Sequence, residues 1–231
     1  MYRGHLPTGG LHKLFLAGVS AVQAIADPTR GDMVGAFAEV TGRVALDRMR
    51  CRILKSDDGR RLLAERPLVS KATGANADAL LRDCAPGTFG NAYGTFMHAH
   101  GFDADDRAPV ALVDDEELAY VLLRYRQCHD YWHVVCGLPP TLLGELALKW
   151  FELAHTGLPI AAFSGVFGPP ALLTRDERRI LATHYLPWAL REGGRAVPLL
   201  QVRYDEHYHT PLADFRRAIC LEAAPKVHEG P

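Results

Sequence analysis

The stretch "DDEELAYVLLRYRQCHDYWHVVCGLPPTLLGELALKWFELA", Asp114–Ala154, decides the fold. Its acidic opening, Asp114 to Glu117, suits the positive end of a helix dipole, and its apolar residues recur at helical rather than alternating spacing. The pattern predicts a helix from Asp114 through Cys136, a break at Gly137-Leu138-Pro139-Pro140, and a second helix from about Thr141 to Ala154. Two mostly apolar helices joined by so short a break should pack as a central antiparallel hairpin. Arg126, His129, Asp130 and His133 share one face of the first helix, and Glu145, Lys149 and Glu152 share one face of the second. His133 stands about one turn before the break and Glu145 about one turn after it, so the two can face each other.

A polar stripe on a helix is most simply its solvent face, and such faces draw Lys, Glu, Arg and Gln. Here the stripe holds two histidines at i, i+4 with an aspartate between them. Imidazoles at that spacing can reach one divalent cation, and the carboxylates of Asp130 and Glu145 can complete or orient the site. Such a donor set suits Zn²⁺ and also Fe²⁺ or Mn²⁺. A His-Glu-x-x-His protease would carry Glu rather than Asp between its histidines, and a di-iron bundle needs two Glu-x-x-His motifs. A mononuclear site is therefore expected, with His129, Asp130, His133 and Glu145 as its metal-ligating and catalytic residues. Arg126 and Lys149 are the candidate substrate-binding cations; the plain alternatives are surface exposure for Arg126 and an i,i+4 pair with Glu145 for Lys149. Cys128 and Cys136 read as small buried hydrophobes.

Outward from this stretch the helical pattern continues, so the expected fold is all-α: a single domain over residues 1–231, with a leading loop at 1–10 and a flexible tail at 223–231. Leu11–Ile25 carries Leu11, Phe15, Val19 and Val22 on one stripe, and further helices are expected over Thr29–Val40, over Arg43–Leu54 and, after the "KSDDG" turn, over "RRLLAERP". Short helices follow at Asp78–Arg82 and Phe89–His100, then "DADDRAP", a polar loop whose Arg107 can point inward. Arg175–Glu192 should kink near Pro187, Pro211–Glu222 forms the last helix, and only "PLLQVRY", Pro198–Tyr204, looks strand-like. The uncharged run Thr156–Thr174 is long enough to cross a bilayer, but its glycines and prolines exclude a spanning helix. It reads as irregular apolar backbone that lines a cavity, meets a partner or rests on lipid.

The 231 residues with 48% hydrophobic content support a sizeable core. A formal net charge of -1 provides no basic field for nucleic acid. Five cysteines without a Cys-x-x-Cys suit a reducing compartment, and no leading segment resembles a secretory signal. The amphipathic start and the apolar run point to attachment at a membrane surface, and the apolar helices allow a homodimer.

"VDDEELAYV", then "HDYWH", eleven residues and Glu145 resemble the ubiquinone (coenzyme Q) biosynthesis protein 4 family, whose hallmark is His-Asp-x-x-His-x11-Glu. The likeness extends to "HLPTGGLHK", "DMVGAFAEVTG", "LLAERP", "DDRAPV", "KWFELAHTGLP" and "FGPPALL", covering the chain from His5 to beyond Trp188. The resemblance implies an all-helical fold with zinc held by His129, Asp130, His133 and Glu145. It also implies a peripheral location on the matrix side of the mitochondrial inner membrane, within a multi-protein ubiquinone-synthesis complex. The implied reaction is loss of the C1 carboxylate from a 4-hydroxy-3-methoxy-5-polyprenylbenzoate, with or without hydroxylation at that carbon. A non-catalytic scaffold that binds prenylated intermediates and organises the other enzymes is the alternative. The chain begins where the family's mature domain would begin, so localisation rests on the family alone.

Overall fold

A computed structural model describes residues 2, 4–26, 31–166 and 172–227. Helices α1 (Gly10–Ala26), α2 (Gly31–Thr41), α3 (Arg43–Ile53) and α4 (Asp57–Glu65) come first. Then follow α5 (Ala77–Asp83), α6 (Phe89–His100), α7 (Glu116–Cys136), α8 (Leu142–Thr156) and α9 (Pro159–Val166). The last are α10 (Arg175–Ile180), α11 (Leu186–Arg195) and α12 (Leu212–Ala218). Among the described residues there is no strand, only an isolated bridge between Thr88 and Pro211, and the fold is all-α as expected.

Local chemistry sets most of the boundaries. Ser56, Asn76, Thr88, Asp115 and Thr141 each cap the helix that follows them by accepting a hydrogen bond from its first turn. The "KSDDG" turn is thus shorter than expected, because Ser56 starts α4 at Asp57. Asp114 and Asp115 likewise stand before α7, with Asp115 as its cap.

Buried on nearly every side, α7 is the axis of the core, with α3 and α6 packed on it. α8 lies most closely along α11, where Gly193 brings the backbones together: a Cβ at that position would meet Ala154 Cβ at 2.7 Å. Toward α7, α8 reaches with side chains. Glu145 meets His133 and Glu152 meets Tyr125, so the contacts run in opposite order along the two helices.

Three expectations are corrected by packing. Pro198–Tyr204 is a 3-10 turn at Leu199–Gln201 followed by extended backbone, not a strand, and the carbonyls of Leu200 and Val202 accept from the buried Arg124 guanidinium instead of a neighbouring strand. The run after Thr156 forms a helix, α9, over Pro159–Val166, while residues 167–171 lie outside the described residues. On α1, Leu11, Phe15 and Val22 of the expected stripe are exposed, as is Leu14, while Ser20 and Ala24 are buried, so the apolar stripe faces outward. The tail is docked at least as far as Ala224, which is buried and donates to Cys136 O at 2.7 Å; residues 228–231 lie outside the described residues.

The expected kink near Pro187 takes the form of a widened turn, Leu181–Tyr185, where hydrogen bonds run from i+5 to i. Pro187 has no N–H for the Thr183 carbonyl and its ring would crowd that carbonyl, so the helix opens one turn earlier.

Candidate metal centre

The break between α7 and α8 builds the site. Gly137 adopts φ 71° at the end of α7, and the turn it makes lets Leu138 N–H donate to His133 O at 3.0 Å. The same turn places the Leu138 carbonyl 3.1 Å from His133 Nδ1, which donates to it. Thr141 then caps α8, and Glu145 comes one turn inside. A Cβ on Gly144 would lie 2.1 Å from Pro139 O, so only glycine lets α8 start so close to the break.

His129, His133 and Glu145 converge, their ligand atoms all within 4.8 Å of one another. His133 Nε2 is 3.0 Å from Glu145 Oε1 and 3.3 Å from His129 Nε2, which is 3.5 Å from Glu145 Oε2. Both Nδ1 atoms are engaged behind the cluster: His129 Nδ1 donates to Glu152 Oε1 at 2.7 Å, and His133 Nδ1 to Leu138 O. With the Nδ1 protons held there, a neutral imidazole presents its lone pair at Nε2. Two lone pairs and a carboxylate facing one point form a donor set that a cation completes, and a carboxylate or carbonyl behind each histidine is the usual support of a metal ligand. The residues therefore fit a divalent metal, without selecting which one. Phe96 stacks on His133 at 5.3 Å and limits its rotation.

Within the cluster the histidines and carboxylates offset one another's desolvation. Burial opposes charge on Glu145, yet hydrogen bonds to His129 and His133 hold its carboxyl well below the usual range. Burial and Lys149 oppose protonation of His129, but Glu152 and Glu145 outweigh them and raise its pKa.

Of the other expected site residues, Asp130 is buried and its carboxylate pairs with Arg107 Nη2; it is not among the three whose ligand atoms converge. The guanidinium of Arg126 binds the carbonyls of Gly35, Ala108 and Pro109 and, at 2.7 Å, the buried carboxylate of Glu39. That side chain is neither surface-exposed nor free for a substrate; it ties α2 and the loop before α7 to α7. Lys149 pairs with Glu152 at 2.7 Å rather than with Glu145.

The sequence profile described as "Coenzyme Q (ubiquinone) biosynthesis protein Coq4" matches residues 2–225. The chain belongs to the Coq4 family. Among its relatives, "Ubiquinone biosynthesis protein COQ4 homolog, mitochondrial" of Bos taurus is 40% identical over 230 residues, 100% of this chain and 86% of that one. "Ubiquinone biosynthesis protein COQ4, mitochondrial" of Laccaria bicolor is 42% identical over 226 residues, 98% of this chain and 75% of that one. A crystallised protein of Nostoc punctiforme PCC 73102 superposes with a TM-score of 0.70 over 89% of this chain and 97% of its own, at 24% identity, a likeness of fold alone.

In this Coq4 chain two further residues shape the centre. Glu152 is fully buried and accepts from His129, Lys149 and, at 2.5 Å, Tyr125 Oη. Its place on the Glu145-Lys149-Glu152 stripe was the available signal. Arg107 comes from the loop before α7, and only its position in a polar stretch hinted that it turns inward. Two recesses adjoin at the centre. One of about 330 Å³ is lined by Val34, Ala38, Leu122, Tyr125 and Ile160 among others, and the second, of about 260 Å³, by Phe102, Asp103, Asp130 and Glu145; Asp106, Arg107 and His129 border both.

Proposed function

We propose that this protein acts in ubiquinone biosynthesis as a metal-dependent carbon–carbon lyase, removing the C1 carboxylate of a 4-hydroxy-3-methoxy-5-polyprenylbenzoate. The observation that carries the reading is the convergence of His129, His133 and Glu145 where a largely apolar recess meets a polar one. A prenyl chain suits the walls of Val34, Ala38, Leu122 and Ile160, and an aromatic acid suits the polar side. Family membership and the printed names of the relatives support the pathway.

A divalent ion, Zn²⁺ or else Fe²⁺ or Mn²⁺, would supply Lewis acidity toward the oxygens of the aromatic head. His129, His133 and Glu145 would hold it, while Asp130 stays paired with Arg107. Glu152 and Leu138 O keep the two imidazole protons on Nδ1, away from the centre. In the reaction the bond from C1 to the carboxylate breaks, CO2 leaves, the electron pair stays on the ring, and a proton takes its place. If oxygen enters at C1 instead, zinc cannot supply the redox step.

The relatives are named mitochondrial, and we place this chain at the matrix face of the inner membrane among other ubiquinone-synthesis enzymes. No helix among the described residues is long and apolar enough to cross a membrane, and the exposed stripe of α1 suits contact with its surface. The deciding experiment is metal analysis of the purified protein combined with a single-turnover assay, with and without O2, following CO2 and the ring product. Stoichiometric metal with CO2 release is expected. Metal-loaded protein that binds the prenylated acid and the partner enzymes but releases no CO2 would instead be the scaffold.

A further inference from the structure

Three cations surround the centre, and they differ in what they have left to offer. Arg126 is held through both terminal nitrogens by Glu39 and three carbonyls. Lys149 is held by the fully buried Glu152 and lies 5.9 Å from the Tyr125 ring centroid. Arg107 has, among the described residues, Asp130 as its recorded side-chain partner, engaged through Nη2 alone. A guanidinium carries five N–H groups in a planar fork, so one such bond leaves room for a second carboxylate. Its side chain is 31% exposed, against 14% for Arg126, and it borders both recesses beside His129.

We infer that Arg107 is the substrate anchor of this site, gripping the aromatic carboxylate and selecting the acid over uncharged analogues. The inference rests on the aromatic-acid reading above and assigns the role to a loop residue rather than to the helix cations. Asp130, buried on α7 next to His129 in the chain, acts as the positioning residue: its carboxylate keeps the guanidinium at the join of the recesses. The 3-10 turn Ala104–Asp106 delivers Arg107, with buried Ala104 fixing the turn against the core. Arg is suited to the task because its fork matches a carboxylate with two parallel hydrogen bonds, where Lys offers a point charge. The contact is made to a charge that departs as CO2, so it strengthens binding of the acid and not the bond-breaking step.

The test compares metal-loaded wild type, Arg107→Met and Arg107→Lys in equilibrium binding of 4-hydroxy-3-methoxy-5-geranylbenzoate and its methyl ester. Wild type is expected to prefer the acid on the order of 10- to 100-fold, the range of charge-assisted hydrogen bonds. Arg107→Met should lose that preference by weakening the acid while binding the ester as wild type does, which also reports an intact fold. Arg107→Lys should keep part of the preference. In turnover, KM for the acid should rise more than kcat falls. An Arg107→Met protein with the wild-type ratio of acid to ester would overturn the anchor, and so would a wild type that binds both equally; either result leaves the prenyl-aromatic site standing. Binding of neither compound by wild type would overturn the site reading and the anchor together.

Discussion

Glu152 answers three side chains at once from a fully buried position, and this makes it the most informative residue of the centre. Burial pulls its pKa up, yet Lys149 and His129 hold it down at about 2. A Glu152→Gln variant should lose roughly 10- to 100-fold in metal affinity, read by competition with a chromogenic chelator, because His129 loses the carboxylate that sets its tautomer. Tyr125→Phe, which removes one hydrogen bond to Glu152 without touching His129, should change that affinity far less. His155 carries a separate prediction. Its ring donates from Nδ1 to Gly193 O at 2.9 Å and accepts from Leu199 N–H at 3.1 Å, so it is neutral. Burial pushes its pKa down to about 4 despite the Gly193 bond, and Arg52 adds to the depression. The unfolded chain takes the proton near pH 6.5, before the folded protein does. The stability from this group is therefore full above that pH and falls by roughly 3 kcal/mol as the pH drops toward 4. Urea midpoints between pH 7 and 4.5 should show the loss, and His155→Gln should flatten it. At this scale His129, His133 and Glu145 were legible, because i, i+4 spacing and distance from a break are local geometry. The partners of Arg126 were not: Gly35 and Glu39 lie far away in the chain and only packing brings them near.

Helix ends were legible for the same local reason, since Asp115 and Thr141 cap through neighbours three residues on. Elements whose state depends on what covers them were not. Leu199, Leu200 and Val202 suit a strand by composition, but the buried Arg124 takes the carbonyls that a neighbouring strand would have used. Pro187 announced an interruption, yet whether the helix bends or widens depends on how α11 must lie on α8. That seam can be tested at Gly193, where an added methyl would meet Ala154 Cβ at 2.7 Å and Phe151 O at 2.9 Å. Gly193→Ala should destabilise the fold by about 1–3 kcal/mol in denaturant titration, the range for overpacked sites. The equivalent change at Gly194, where nothing lies within 4 Å, should be neutral or better.

For the whole molecule, α1 carries the clearest consequence. Leu11, Leu14, Phe15 and Val22 lie 67–84% exposed on one face of α1. Replacing Leu11, Leu14 and Phe15 together by Ser should lower vesicle association at least tenfold in a flotation assay, since each apolar side chain is worth about 1.5 kcal/mol or more on burial. The melting temperature should hardly move, because those side chains are exposed in the folded protein. Unchanged vesicle binding would assign the membrane contact to another face. Periodicity placed Leu11, Phe15 and Val22 on one stripe of an amphipathic helix and pointed to a membrane surface; that the rest of the fold leaves this stripe uncovered is an outcome of packing. The sequence by itself determined most of the helices, the break at Gly137 and the ligand spacing, since each depends on residues within a turn or two of one another. Only tertiary structure decided that Arg107 meets Asp130, that Glu152 stands behind His129, and that the large residues of α1 face outward. Those outcomes depend on which distant surfaces compete for the same buried space.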